Sequence, residues 1–284
     1  MSFRIMITRN LTVSVSEQAD RSAHLAWCDL IALHLARQCD VLKLIAFAAM
    51  VLDHLNTASG LNDTLLQAVG RLAFPLFALV WGCNVVRRPV TQVSLNRLWL
   101  MAMLAQPGFW LAFRDTGVQW WQANILFTFA AMGQAVRFMQ TPCRCTAFVS
   151  LLALSVYIPA SGASYELRGL LLLLMSALCF MTTGRWQMMA AAGLATSVLL
   201  LNAPSGGVMM LSGLLLSLII LVVVCRHVPQ GERLHGGRWF AQLYALHLAV
   251  IGGGCASPDS SAPADTGACC TGHPDRAGGP GYRR

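Results

Sequence analysis

Long apolar segments separated by short polar stretches dominate this chain. The segments are rich in Leu, Ala, Val, Ile and Met, a pattern typical of buried or membrane-spanning helices. Several are only 15 to 17 residues long, which is the lower limit for crossing a bilayer. The pattern predicts an all-α, polytopic transmembrane helical bundle of about nine spans. They cover residues 41–58, 65–86, 97–113, 123–139, 146–160, 167–183, 187–202, 207–225 and 239–254.

Composition supports a membrane protein. The 284 residues are 56% hydrophobic and only 11% charged, whereas a soluble domain has about 25% charged residues. The net charge of +8 comes almost entirely from arginine, and Lys43 is the only lysine. Basic residues in such a chain report membrane topology first. No basic-aromatic patch or nucleic-acid motif is present, so we expect no nucleic-acid partner.

The distribution of basic residues predicts the orientation. With the N-terminus inside the cell, the predicted cytoplasmic segments up to residue 238 hold fourteen Arg and Lys residues, and the opposite loops hold only Arg114 and Arg168. Cytoplasmic loops carry this excess in membrane proteins. We therefore expect a cytoplasmic N-terminus.

The chain divides into three parts by composition. Residues 1–40 are mixed and polar and predict a cytoplasmic lead-in. Residues 41–254 contain all nine predicted spans. Residues 255–284 are rich in Gly, Pro, Ala, Ser and Cys and have almost no large apolar side chain. Such a composition cannot bury a core, so this tail is expected to be disordered.

The ten cysteines do not form a metal-binding pattern. Most lie singly inside apolar runs, where Cys behaves as a small hydrophobe. Cys143 and Cys145 lack a second pair at zinc spacing, as do Cys269 and Cys270. The sequence therefore predicts no metal site.

The first span carries the most informative polar residues. Lys43 lies near its start, and Asp53 and His54 lie near its end. Eleven residues make about three helical turns, so Lys43 and His54 share a face, roughly 16 Å apart. Ionisable residues inside a span usually face a protein interior or a water-filled cavity. Alternatively, Asp53 and His54 are only the polar end of the span.

A His beside a carboxylate can act as a general base, because the carboxylate can orient the imidazole and stabilise its cation. Adjacent helical residues point about 100° apart, however, so Asp53 can instead serve another partner such as Arg71 in the second span. No GxSxG, HExxH, P-loop or GxGxxG motif in a suitable setting is present, which leaves hydrolase, zinc-protease and nucleotide-motor functions without support.

Other polar residues inside or beside the spans allow two interpretations each. Glu166 and Arg168 either pair in a loop or line an outer mouth. Tyr244 and His247 are i, i+3 neighbours that either line a cavity or form a helix-interface pair. Asn124 is expected to cap a helix or to form an interhelical hydrogen bond.

Several stretches of these spans resemble one family, the TraX proteins, which are F-type pilin acetylases of conjugation systems. The resemblance runs in the same order from about residue 37 to residue 251, and residues 1–36 and 252 onward differ from the family. It is carried by KLIA at 43–46, MVLDH at 50–54, GRLAFPLFALVWG at 70–82, NRLW at 96–99, NILF at 124–127, SGASY at 161–165 and YALHLAV at 244–250.

The resemblance implies an inner-membrane enzyme that acetylates the N-terminal amine of a pilin subunit, with acetyl-CoA as the expected donor. The family is similar in turn to acyltransferase-3 type membrane enzymes, which carry a basic residue, ten intervening residues and a His in their first span. Lys43 and His54 match that spacing.

The chemistry of acetyl transfer to an amine is consistent with this resemblance and suggests roles for the polar residues. His54 would be the base that removes the amine proton, with Asp53 beside it and Arg71 stabilising the oxyanion. Expected partners are the pilin subunit and membrane lipid. We expect Lys43, Arg97 and Asn84 to bind the donor, with Asn84 also a possible oxyanion donor, and Glu166, Tyr244 and His247 to line the substrate cavity.

Two other functions compete with this interpretation. A transporter or flippase would use the same buried ionisable residues as a pathway, but the sequence contains no internal repeat to support it. A pilus-assembly factor without chemistry would not require Lys43, Asp53, His54 and Arg71 together. The mass of pilin from cells with and without the gene separates these possibilities.

Overall fold

The computed structural model describes residues 15–229, 231–232, 234 and 239–255; for 15–35 and 255 it describes the backbone alone. In this part of the chain, every regular element is helical. The α-helices are α1 Val15–Ala58, α2 Thr64–Gly70, α3 Ala73–Arg87, α4 Gln92–Phe113, α5 Ile125–Gln140, α6 Arg144–Ala160, α7 Glu166–Met181, α8 Arg185–Asn202, α9 Gly207–His227 and α10 Phe240–Cys255; short 3-10 turns follow α4, α6 and α8.

The all-α prediction is confirmed, and each apolar segment predicted from the sequence forms a helix. Two boundaries differ. The first helix begins at Val15, so it passes residue 41 without a break. The second segment is two helices, because the chain turns at Arg71 and Leu72 between α2 and α3. The predicted tail from residue 256 onward and residues 1–14 of the predicted lead-in lie outside the described residues.

Five helical stretches of the described chain have the length and hydropathy to cross a membrane. They are Ala36–Ala58, Thr64–Arg87, Arg144–Ala163, Arg185–Ser205 and Gly207–His227. The last of these is only 22% buried, and its outward side chains are large and apolar. An apolar exterior of this kind fits a membrane protein. The count of about nine spans and the cytoplasmic N-terminus stay predictions.

Close backbone contacts at glycine hold the bundle together. A Cβ at Gly82 of α3 would lie 2.3 Å from Ser176 Oγ of α7, and that hydroxyl donates a hydrogen bond of 2.7 Å to the Ala78 carbonyl. Gly108 of α4 and Gly252 of α10 approach in the same way, with a Cβ at Gly252 only 2.9 Å from the Gly108 carbonyl oxygen. These contacts place α10, which carries Tyr244 and His247, firmly against α4.

Two polar residues fix the helix ends nearest the polar centre of the bundle. Asn56 donates to the Asp63 carbonyl and accepts from the Asp63 amide, at 3.0 and 2.8 Å. Asp63 in turn caps α2 through the Leu65 and Leu66 amides. Asn124 caps α5 and donates to the Ala102 carbonyl at 2.8 Å, so its predicted role as a cap or interhelical bond is confirmed.

Candidate functional site

A cavity of about 280 Å³ lies between α1, the α2–α3 turn, α4 and α10. Its polar lining includes three of the residues that the sequence singled out for chemistry, Asp53 and His54 from α1 and Arg71 from the α2–α3 turn. Apolar rings complete most of the wall. The lining side chains are Met50, Asp53, His54, Thr57, Arg71, Phe74, Phe77, Phe109, Phe113, Thr116, Val118, Ile125, Tyr165 and Tyr244, with Gly70, Ala73 and Ala163.

His54 is held by a second histidine. Its Nδ1 lies 2.9 Å from Nε2 of His247 in α10, and the two ring planes are nearly parallel, with an angle of 14° between them. Phe113 contacts the His54 ring edge-to-face at 5.1 Å, and Phe47 contacts the His247 ring in the same way at 5.5 Å. Because Nδ1 of His54 is engaged, Nε2 is the nitrogen left for the cavity.

Asp53 reaches the same cavity from the adjoining helix face. Its side chain lies against Gly70 at the end of α2, where a Cβ would come within 2.5 Å of the carboxylate Oδ1. Only a glycine leaves room for the carboxylate at this place. Asp53 therefore does not orient His54 through a hydrogen bond; the partner of that imidazole is His247.

Arg71 lines the cavity from the turn that joins α2 and α3. It is the C-cap of α2, with its amide bonded to Gln67 and Val69 carbonyls. No ion pair within 4.0 Å joins it to Asp53 in the described chain, and its buried Nε has no hydrogen-bond partner among the described residues. The cavity wall thus includes a cationic side chain, and its buried Nε is a donor without a protein partner in the described part of the chain.

A second cavity of about 220 Å³ adjoins the first and shares four of its wall residues, Met50, Phe77, Ile125 and Tyr244. Lys43 and Asn84 supply its polar lining, and the rest of the wall is largely aromatic and aliphatic. Lys43 and His54 therefore face adjoining cavities on one side of α1, as their spacing predicted.

Lys43 has a partner that the sequence did not indicate. Its Nζ lies 2.9 Å from Asp40 Oδ1, and only 14% and 3% of the two side chains are exposed. The other Asp40 oxygen accepts the Leu234 amide at 3.1 Å. The Lys43 ammonium also lies 5.7 Å from the centroid of the Phe240 ring. The charge at the edge of the second cavity is thus already paired.

The structure does not bring all the candidate residues together. Arg97 is exposed on α4 and lines neither cavity. Glu166 is exposed and pairs with Arg168 at 3.0 Å, which is the loop pair that the sequence left as one of two possibilities. Tyr244 lines both cavities as predicted, whereas His247 lines neither and instead forms a helix-interface contact with His54.

Tyr165 belongs to the site but was not singled out from the sequence. Its backbone is left-handed, with φ of 65°, a conformation that a bulky residue rarely adopts. This turns the ring to stack on Phe74 at 5.0 Å, where it lines the first cavity. Its only signal in the sequence is the SGASY motif.

Among the described residues no group of three or more His, Cys, Asp or Glu is arranged to hold a metal ion.

The fold and the site together define a class: an all-helical protein with membrane-capable helices and a cavity lined by a histidine, a carboxylate and an arginine, with a second histidine bonded to the first. The family model described as "TraX protein" matches residues 38–253. The chain belongs to the TraX family.

Two curated relatives agree with this assignment. Protein TraX of Escherichia coli is 33% identical over 217 residues, covering 76% of this chain and 86% of the relative. Protein TraX of Escherichia coli strain K12 is 32% identical over 228 residues, covering 80% of this chain and 90% of the relative. No solved structure gives a significant match.

Proposed function

We propose that this protein is an inner-membrane N-acetyltransferase that acetylates the N-terminal amine of a conjugative pilin subunit, with acetyl-CoA as the donor. Membership of the TraX family supports the class of substrate. The observation that carries the chemistry is the first cavity, where His54, Asp53 and Arg71 face one space although the chain reaches it from two helices.

Each of these side chains has a role that acyl transfer to an amine requires. Asp53 attracts the incoming ammonium group, which releases one proton to solvent to become the free amine. His54 then takes a second proton from the nitrogen as that nitrogen attacks the thioester carbonyl. The new C–N bond places negative charge on the carbonyl oxygen. Arg71, whose guanidinium side chain lines the same cavity, stabilises that charge. The C–S bond then breaks, and the leaving thiolate receives the proton that His54 holds.

The second cavity is suited to the donor. It adjoins the first through the wall shared by Met50, Phe77, Ile125 and Tyr244, so a thioester that enters it is directed toward His54. Its apolar lining accommodates an extended aliphatic arm. Asn84 and Lys43 provide polar contacts at the far end. Arg97 is exposed on α4, and we assign it to contact the phosphates of the donor outside the cavity.

The test is the intact mass of pilin from cells that express His54→Gln in place of the wild-type protein. We expect the mass increase of one acetyl group to disappear while the variant still inserts in the membrane. His227→Gln is the matched control, because His227 is exposed at the end of α9 and lines neither cavity. Wild-type acetylation in His54→Gln would remove His54 from the mechanism, and acetylated pilin in cells without the gene would overturn the proposed function.

A further inference from the structure

We propose that His247 is a positioning residue that fixes the tautomer of His54, so that Nε2 of His54 faces the cavity with its lone pair free. This inference rests on the proposed function, in which His54 is the base. It starts from a chain of two hydrogen bonds that links α10 to α1 through residues 193 positions apart in sequence.

The first link determines the protonation of His247. Its Nδ1 lies 3.2 Å from the carbonyl oxygen of Leu243, one turn earlier in α10. A carbonyl oxygen only accepts hydrogen bonds, so Nδ1 of His247 must carry the hydrogen. A neutral imidazole has a single N–H, and Nε2 of His247 is therefore the acceptor nitrogen.

The second hydrogen bond determines which nitrogen of His54 carries the hydrogen. Nε2 of His247 lies 2.9 Å from Nδ1 of His54. Since the His247 nitrogen is the acceptor, Nδ1 of His54 is the donor and holds the single hydrogen of the neutral ring. The lone pair of His54 is then on Nε2, the nitrogen left for the cavity. A base needs its lone pair toward the substrate, and the other tautomer would place a hydrogen there instead.

Packing holds both rings in the required orientation. The His54 ring contacts the nearly parallel His247 ring and, edge-to-face, the Phe113 ring, and His247 is also flanked by Phe47 and by Tyr244 at 5.2 Å. A flip of either ring would break the 2.9 Å contact. When His54 accepts a proton, the same bond to His247 becomes charge-assisted and stabilises the imidazolium.

The first experiment compares His247→Leu and His247→Gln in membranes, with acetyl transfer measured against both donor and pilin concentration. Leu removes the acceptor, and we expect kcat to fall about 10- to 100-fold, as for other residues that orient a functional histidine, with both KM values unchanged. Gln carries an amide oxygen at the place of Nε2 and should restore most of kcat. A purely structural role for His247 predicts no rescue by Gln, or changes in KM instead, and either result would overturn the inference.

The second experiment does not depend on activity. Protein labelled with ¹⁵N-histidine is studied in bilayers by solid-state NMR, and the His54 signals are assigned by their loss in His54→Gln. We expect a protonated Nδ1 and an unprotonated Nε2 for His54 in the wild-type protein. The opposite tautomer would refute the positioning role even if His54 proves essential. If the expected tautomer is present but every His54 and His247 variant still acetylates pilin, the proposed function is rejected instead.

Discussion

Asp53 and Gly70 are in direct contact across the junction of α1 and α2. The carboxylate occupies the space where a side chain at position 70 would begin, and a Cβ there would lie 2.5 Å from Asp53 Cβ, Cγ and Oδ1. Real Cβ atoms do not approach this closely. The next residue after Gly70 is Arg71, so the contact also sets how near the arginine and the carboxylate stand on the cavity wall.

This contact predicts that Gly70→Ala lowers acetylation without preventing membrane insertion. The added methyl group must move Asp53 or the end of α2, and overpacking of this kind costs about 1–3 kcal/mol. We expect a loss of activity of tenfold or more, because a small displacement of a positioned group is costly to catalysis. The measurement is the acetylated fraction of pilin at equal amounts of membrane-inserted protein.

Gly207→Ala is the matched control for Gly70→Ala. Gly207 starts α9, and a Cβ there would meet no atom within 4 Å. Its activity should equal that of the wild type. Equal activities of Gly70→Ala and Gly207→Ala would mean that the position of Asp53 does not matter to the reaction.

The sequence was sufficient to predict the helices, because each buried or lipid-facing helix needs a continuous apolar run and the chain contains little else. It was not sufficient to predict the break at Arg71. The segment GRLAFPLF lies inside a longer apolar run, and Pro75 lies in the first turn of α3, where proline is tolerated. Pro75 has no N–H to bond the carbonyl of Arg71 four residues earlier, and its ring crowds that carbonyl, which is a local reason for the interruption at Arg71 and Leu72.

The candidate site was predictable only in part, for a related reason. His54, Asp53 and Arg71 stand out because charge inside an apolar run is costly. The bond between His54 and His247 could not be predicted from the sequence, since it joins residues 193 positions apart and depends on how α10 packs against α1 and α4. Asp40 was equally hidden: it lay in the predicted polar lead-in, yet only 3% of its side chain is exposed and it pairs with Lys43.

A second prediction concerns Arg71. If its guanidinium stabilises the oxyanion, Arg71→Gln should lower kcat about 10²- to 10³-fold, the typical cost of losing one such donor. Arg71→Lys keeps the charge but loses the planar group of donors, so only part of the activity should return. Acetyl transfer in membranes at saturating donor measures kcat.

Arg226→Gln provides the comparison for Arg71→Gln. Arg226 is exposed in the last turn of α9 and lines neither cavity. Its loss should leave kcat unchanged. If Arg71→Gln changes only the KM for pilin, the arginine binds the acceptor and has no part in stabilising the transition state.

A third prediction concerns stability and does not depend on function. Asn124 is fully buried, caps α5 and donates to the Ala102 carbonyl and to Gln106 Oε1. Asn124→Ala removes the cap and leaves buried acceptors unsatisfied, so we expect a loss of roughly 2–3 kcal/mol. Thr91→Ala, at the exposed N-cap of α4, should cost about 1 kcal/mol or less. Thermal unfolding in detergent compares the two, and equal costs would contradict the role of burial.

The last prediction separates two roles of Lys43. Its pairing with Asp40 gives it a structural role, because removing one partner of a buried ion pair leaves the other charge uncompensated, at about 3–5 kcal/mol. Lys43 also lines the second cavity, where the proposed function assigns it the binding of an anionic part of the donor. Lys43→Gln alone affects both roles, so a loss of activity in that variant is not informative by itself.

The double variant Asp40→Asn/Lys43→Gln removes both charges and leaves a neutral pair that can still form a hydrogen bond. If Lys43 is only structural, the double variant should regain insertion and donor affinity together. If Lys43 also binds the donor, insertion and thermal stability should recover while the apparent KM for the donor stays raised. Asp40→Asn alone completes the cycle: it leaves the ammonium without its anion, so it should lose stability yet keep the donor KM of the wild type. Recovery of the donor KM in the double variant would return Lys43 to a purely structural role, and the proposed donor site would then depend on Asn84 and the apolar wall.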